Sequence, residues 1–129
     1  MPLSQHKGLR IAADLFAVTC IASGINALLR PASALSFFHW DYPTTTAQSD
    51  LVDSLLYVYA IRDILMGASV YISKAYGTQQ SLGLTLLANC AVAWGDGLIC
   101  WTWGKGHWGH WTYAPIYSVV AAAILGAFD

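Results

Sequence analysis

Apolar residues run in four long blocks with short polar breaks between them. The blocks extend from about Leu9 to Leu29, Leu51 to Ser73, Ser81 to Trp101 and Tyr113 to Phe128. A helical bilayer crossing takes about 20 mostly apolar residues, with a lower limit near 17. The first three blocks meet that length and the last falls just short of it. None alternates with a period of two over about ten residues, as a barrel strand would. A helix satisfies its backbone hydrogen bonds within one segment, which a lipid solvent demands. The pattern therefore predicts an all-α, integral membrane four-helix bundle, a single membrane domain over residues 1–129.

The breaks fit this reading. Arg30-Pro31 closes the first helix, and residues 32–50 form the longest loop, with Asp41-Tyr42-Pro43 followed by Thr44, Thr45 and Thr46. Lys74 to Gln80 is a turn containing Gly77, and Trp103 to Trp111 is a loop of Gly, His and Trp. Trp40, Trp101, Trp103, Trp108 and Trp111 fall near helix ends, as an aromatic belt at a water–lipid boundary does. The Ala122-to-Gly126 spacing suits close contact between helices.

Composition sharpens the picture. Apolar residues make up 57% and charged residues 10%, and the mean hydropathy is +0.50. A soluble domain is nearer 45–50% apolar and about 25% charged. All seven acids are Asp, and the net charge is −1. No basic patch is on offer for nucleic acid or anionic lipid. Lys7 and Arg10 ahead of an apolar block, with Ala32-Ser33-Ala34 after it, resemble a secretory signal. The length of the block and Asp14 within it favour a retained helix. Lys7, Arg10 and Lys74 on one side, against Arg30 and Lys105 on the other, bias both termini towards the cytoplasm. Cys20, Cys90 and Cys100 read as small core residues rather than a disulfide frame or zinc site.

The candidate chemistry lies in the charges that fall inside the blocks: Asp14, Asp53, Arg62, Asp63 and Asp96. Each costs about 2.5–3.5 kcal/mol at the centre of an inserting helix. Asp53 is close to a helix end. At about 1.5 Å per residue, Asp14, Asp63 and Asp96 differ in height by roughly 7–8 Å per step. A pocket among the first three helices is therefore expected to gather them around Arg62. Thr85, Asn89, Asp96 and Cys100 form one polar stripe on the third helix, and Gly95 and Gly97 leave room for a close neighbour. Asp63 shares a face with Tyr59 and Gly67, while Arg62 points about 100° away, so the two border a cavity from two sides. Four ionised carboxylates beside one Arg would carry net −3, which a low dielectric penalises. The expected state has one ionised Asp held by Arg62 and at least one neutral Asp, a general acid/base pair.

Each residue also has a structural reading. An Arg–Asp pair can simply fix helix register, and Asn26 and Asn89 can serve as interhelical hydrogen-bonders. His107 and His110, three apart with Cys100 near, make a poor metal site in a loop without fixed geometry. No metal and no cofactor is expected: there is no CxxC, no Gly-x-Ser-x-Gly and no phosphate loop.

In Ala60-Ile61-Arg62-Asp63 with Gly67, and in Trp94-Gly95-Asp96-Gly97, the chain resembles a group of small fungal integral membrane proteins. Some of these are similar to the membrane epoxide hydrolases encoded beside polyene-pyrone polyketide synthases of the aurovertin and citreoviridin type. The resemblance implies cofactor-free opening of epoxides on a lipophilic polyene, giving diols or cyclic ethers, in the endoplasmic reticulum membrane. An Asp-Arg-Asp arrangement suits that chemistry, as in the soluble limonene-epoxide type of hydrolase, whose fold differs. It implies Asp63 or Asp14 as base and Asp96 as acid, with exchange of roles open, Arg62 holding the ionised Asp, and Asn89 and Tyr59 orienting water or substrate.

Two other classes compete: a proton-coupled transporter and a structural or assembly subunit of a membrane complex. The expected partners are the bilayer and a small lipophilic substrate, without nucleic acid; a homo-oligomer is left open.

Overall fold

The computed structural model describes residues 1–129 and is all-helical. A short 3₁₀ turn, Leu3–Gln5, leads into α1 (Lys7–Leu29); α2 (Pro31–Ser36), α3 (Thr46–Tyr76), α4 (Gln79–Thr102), α5 (Trp108–Trp111) and α6 (Ala114–Ile124) follow. Three of these, α1, α3 and α4, are long and apolar enough to cross a membrane. The expected fourth span is different. α6 has 11 residues, about 16 Å at 1.5 Å per residue, roughly half a hydrocarbon core. It stops because Gly126 takes φ +85°, and the Ala127 N–H reaches back to the Ala122 carbonyl at 3.0 Å, a left-handed helix stop that glycine favours. Gly126 thus ends α6 rather than seating a neighbouring helix.

α1 lies between α3 and α6, and α4 closes the ring by touching α3 and α6. The interior is built from small residues: Ala13, Ala17, Ala27, Ala60 and Ala121 are wholly buried. Large side chains such as Leu15, Leu55, Ile61, Leu65 and Ile99 face outwards. This inverts a soluble core, and it is the arrangement expected where lipid supplies no hydrophobic drive between helices and close backbone packing must hold them. At the α1–α3 crossing a Cβ on Gly24 would stand 2.5 Å from the Ala60 carbonyl oxygen, and one on Gly67 would strike the Ala17 carbonyl. These are backbone atoms and cannot swing aside. Gly24→Ala should therefore destabilise the bundle by about 1–3 kcal/mol through overpacking. A thermal melt in detergent equal to that of the parent would refute this packing.

The polar stripe on α4 faces α3 as a ladder. Thr85 bonds Ser73 at 2.8 Å, Asn89 donates to the Met66 carbonyl at 3.0 Å, and Asp96 accepts from Arg62. At the opposite side of the ring, Gln79 donates to the Ile124 carbonyl at 2.9 Å and the Ser4 amide to Asp129 at 2.9 Å. Both termini thus share one end of the bundle with the α3–α4 turn. At the other end, residues 103–113 fold back against α4: the Trp111 indole packs on Gly97 and donates to the Trp94 carbonyl at 3.4 Å. Of the predicted loop at 32–50, the first part is the helix α2, opened by Pro31 in its first turn.

Candidate functional site

α3 and α4 bring Arg62, Asp63 and Asp96 together. The guanidinium forks onto Asp96, with Nη1 to Oδ1 at 3.1 Å and Nη2 to Oδ2 at 2.8 Å. Its Nε and Nη2 both reach Asp63 Oδ1 at 3.3 Å. The Tyr59 ring lies under the cation, 4.6 Å from ring centre to Cζ. A bidentate carboxylate pair of this kind fixes geometry as well as charge. Of the four carboxylate oxygens, Asp63 Oδ2 alone takes no bond from the guanidinium, and the Tyr59 and Ser23 hydroxyls stand close enough to donate to the Asp63 carboxylate.

Asp63 borders the principal cavity, about 690 Å³ in volume. The volume lies within the 300–1,000 Å³ typical of small-molecule sites. α1 supplies one wall with Phe16, Cys20 and Ser23; α3 supplies Tyr59 and Asp63; the fold-back segment and α6 supply His110, Tyr113 and Tyr117. Three phenols carry hydroxyls there, and two of them are hydrogen-bonded. Tyr59 shares a hydrogen bond with Ser23 at 3.3 Å, and Tyr113 with His110 Nδ1 at 3.4 Å. The His110 ring is 7% exposed and packs 5.2 Å from Phe38, and burial moves its pKa below the ordinary histidine value. It is therefore neutral at pH 7.

Several expectations need correction. Asp14 does not join the cluster: it pairs with Lys74 at the other end of the bundle, eleven residues along α3 from Asp63, about 16 Å. Asn89 faces α3 as the middle rung of the ladder and does not line the cavity. Asp96 and Arg62 stand behind Asp63 and do not line it either. The pocket is walled by α1, α2, α3, α5 and α6; of the first three spans, the third, α4, lines none of it. Asp53 accepts from the Tyr42 hydroxyl at 2.6 Å, which pushes that phenol up to about 12. Asn26 bonds Ser33 at 3.4 Å, tying α1 to α2. Gly97 meets the Trp111 side chain, while Gly95 faces open space. Thr19, Ser23, Tyr113 and Tyr117 are polar groups of the lining that the pattern of blocks does not point to, and His110, weighed from sequence only as a metal ligand, lines the cavity as well.

The profile of a family described as a domain of unknown function, DUF4267, matches residues 17–125. The chain belongs to the DUF4267 family. The matched region of this DUF4267 chain takes in Arg62, Asp63, Asp96 and the whole His110–Tyr113 segment, and begins beyond Asp14. No curated protein and no solved structure matches it.

Proposed function

We propose that this DUF4267 protein is a membrane-embedded, cofactor-independent hydrolase or cyclase that opens epoxides on a lipophilic, polyketide-like substrate. One observation carries the reading: Asp63, a carboxylate pinned by an arginine, borders an apolar cavity beside tyrosine hydroxyls. Asp63 is the base. Its Oδ2 takes a proton from water as the water oxygen bonds to an epoxide carbon. The epoxide C–O bond breaks, and the freed oxygen takes a proton from the Tyr59 or Tyr113 hydroxyl. The phenolate regains its proton from the Asp63 carboxyl, and the sum is one water added to give a diol. A substrate hydroxyl in place of water gives a cyclic ether.

Arg62 and Asp96 are positioning residues in this scheme. Asp96 spends both oxygens on Arg62, so the acid role passes to the phenols. General acid–base catalysis of this kind contributes about 10²–10⁴-fold each way. The test is conversion of an epoxidised polyene by protein in lipid nanodiscs without added cofactor, run in ¹⁸O-labelled water. A diol carrying one labelled oxygen supports the reading. An epoxide recovered intact across a panel of polyene and terpenoid epoxides would overturn it.

A further inference from the structure

The rim of the cavity is at the middle of a span. Val18 is the central residue of α1, eleven positions from each end of Lys7–Leu29. It lines the cavity and is 53% exposed on the outer surface. Thr19 and Ala22, beside it on the same rim, are exposed as well. At that level only acyl chains surround a crossing helix, because the hydrocarbon core extends about 15 Å to either side. Phe37 and Gly109 are the other exposed residues of the lining, while Tyr117 of α6 stacks edge-on against Phe16 of α1, with ring centres 4.8 Å apart.

The inner end of the cavity is polar but holds no fixed cation. No Lys or Arg lines it, and its carboxylate is Asp63. Arg62 touches Asp63 from behind and is itself neutralised by Asp96. One arginine shared by two carboxylates leaves the cluster net negative when both are ionised, which disfavours an anionic head. The Ser23, Tyr59 and Tyr113 hydroxyls and Asp63 Oδ2 offer donors and an acceptor to an uncharged oxygen function.

We propose that the DUF4267 cavity takes its ligand sideways from the bilayer, over the rim that Val18, Thr19 and Ala22 of α1 form, and that the ligand is an elongated apolar molecule bearing an uncharged hydroxyl or ether oxygen. This rests on the reading above for the identity of the site but not for its chemistry. The experiment measures occupancy. A long-chain alcohol carrying a diazirine is photolysed with the protein in phosphatidylcholine nanodiscs, and the labelled peptides are mapped. Labelling should fall on residues 16–23 of α1 and on the peptide holding Tyr113 and Tyr117. Ala22→Trp, and independently Thr19→Trp, should cut labelling about tenfold; both positions face outwards, so thermal melts should stay at the parent value. The unlabelled alcohol should compete, and the carboxylate of the same chain length should not. Undiminished labelling in both Trp variants that melt like the parent, or equal competition by the carboxylate, would overturn the proposal. Protein that takes up the alcohol over this rim yet opens no epoxide would sink the enzymatic reading alone.

Discussion

Asp63→Asn is expected to cut the epoxide opening proposed above by orders of magnitude and to leave the bundle folded. The amide matches the carboxylate in shape, and its oxygen can still accept from Arg62 as Asp63 Oδ1 does at 3.3 Å. What disappears is the basic carboxylate bordering the cavity. The loss expected is about 10²–10⁴-fold in kcat, the usual contribution of a positioned base, with KM little changed because the cavity walls are untouched. Initial rates in nanodiscs, beside a thermal melt of each preparation, decide the matter. Asp14→Asn is the matched control. Its carboxylate pairs with Lys74 at the far end of the molecule, so its turnover should equal that of the parent. Parent-level turnover in Asp63→Asn would remove the base from the scheme and with it the function proposed.

The contrast between these two aspartates shows what the chain discloses by itself and what it conceals. Charges inside apolar blocks are expensive enough to stand out, and Arg62, Asp63 and Asp96 do meet. Asp14 looks equivalent to them because its partner is hidden by a helix boundary. Hydropathy falls at Ser73, but α3 runs on to Tyr76, carrying Lys74 as a helical residue whose long stem lets its ammonium reach Asp14. Three residues of helix separate a cluster member from an ordinary ion pair. The last apolar block misleads for a similar reason. A short helix packed on the bundle by one face and a crossing helix have the same composition, and the difference rests on where Gly126 stops α6. His110 and Tyr113 were beyond reach of any periodicity. Their segment has none, and it is held against the bundle by contacts distant in sequence. A Cβ on Gly106 would meet the Phe38 carbonyl, and Trp111 packs on Gly97. α2 was more legible than the block pattern allowed, since Pro31 opens a helix as well as it closes one.

Arg62→Met should be the most destabilising single change in the molecule. It strips the only cation from two carboxylates whose side chains are 9% and 17% exposed. Removing one partner from a buried ion pair costs about 3–5 kcal/mol, because the charge left behind has lost its compensation. The Arg62 side chain is 37% exposed, which places the expected loss at the lower end of that range. Adding Asp96→Asn to Arg62→Met should restore part of it, since one of the two leftover charges is then gone while Asp63 keeps the other, and this pair forms a double-mutant cycle with a coupling that only contacting residues show. Arg62→Lys should lie between: it keeps the charge but not the planar fork that holds Asp96 through two nitrogens. Thermal or denaturant melts give the stabilities, and turnover in the double variant separates two meanings of the cluster. A stable Arg62→Met/Asp96→Asn protein with turnover lost means that Arg62 acts by holding Asp63 in place. A stable protein with turnover intact means that the arginine and Asp96 are there to lock α3 to α4, and that Asp63 needs neither. A single Arg62→Met variant as stable as the parent would contradict the ion cluster itself.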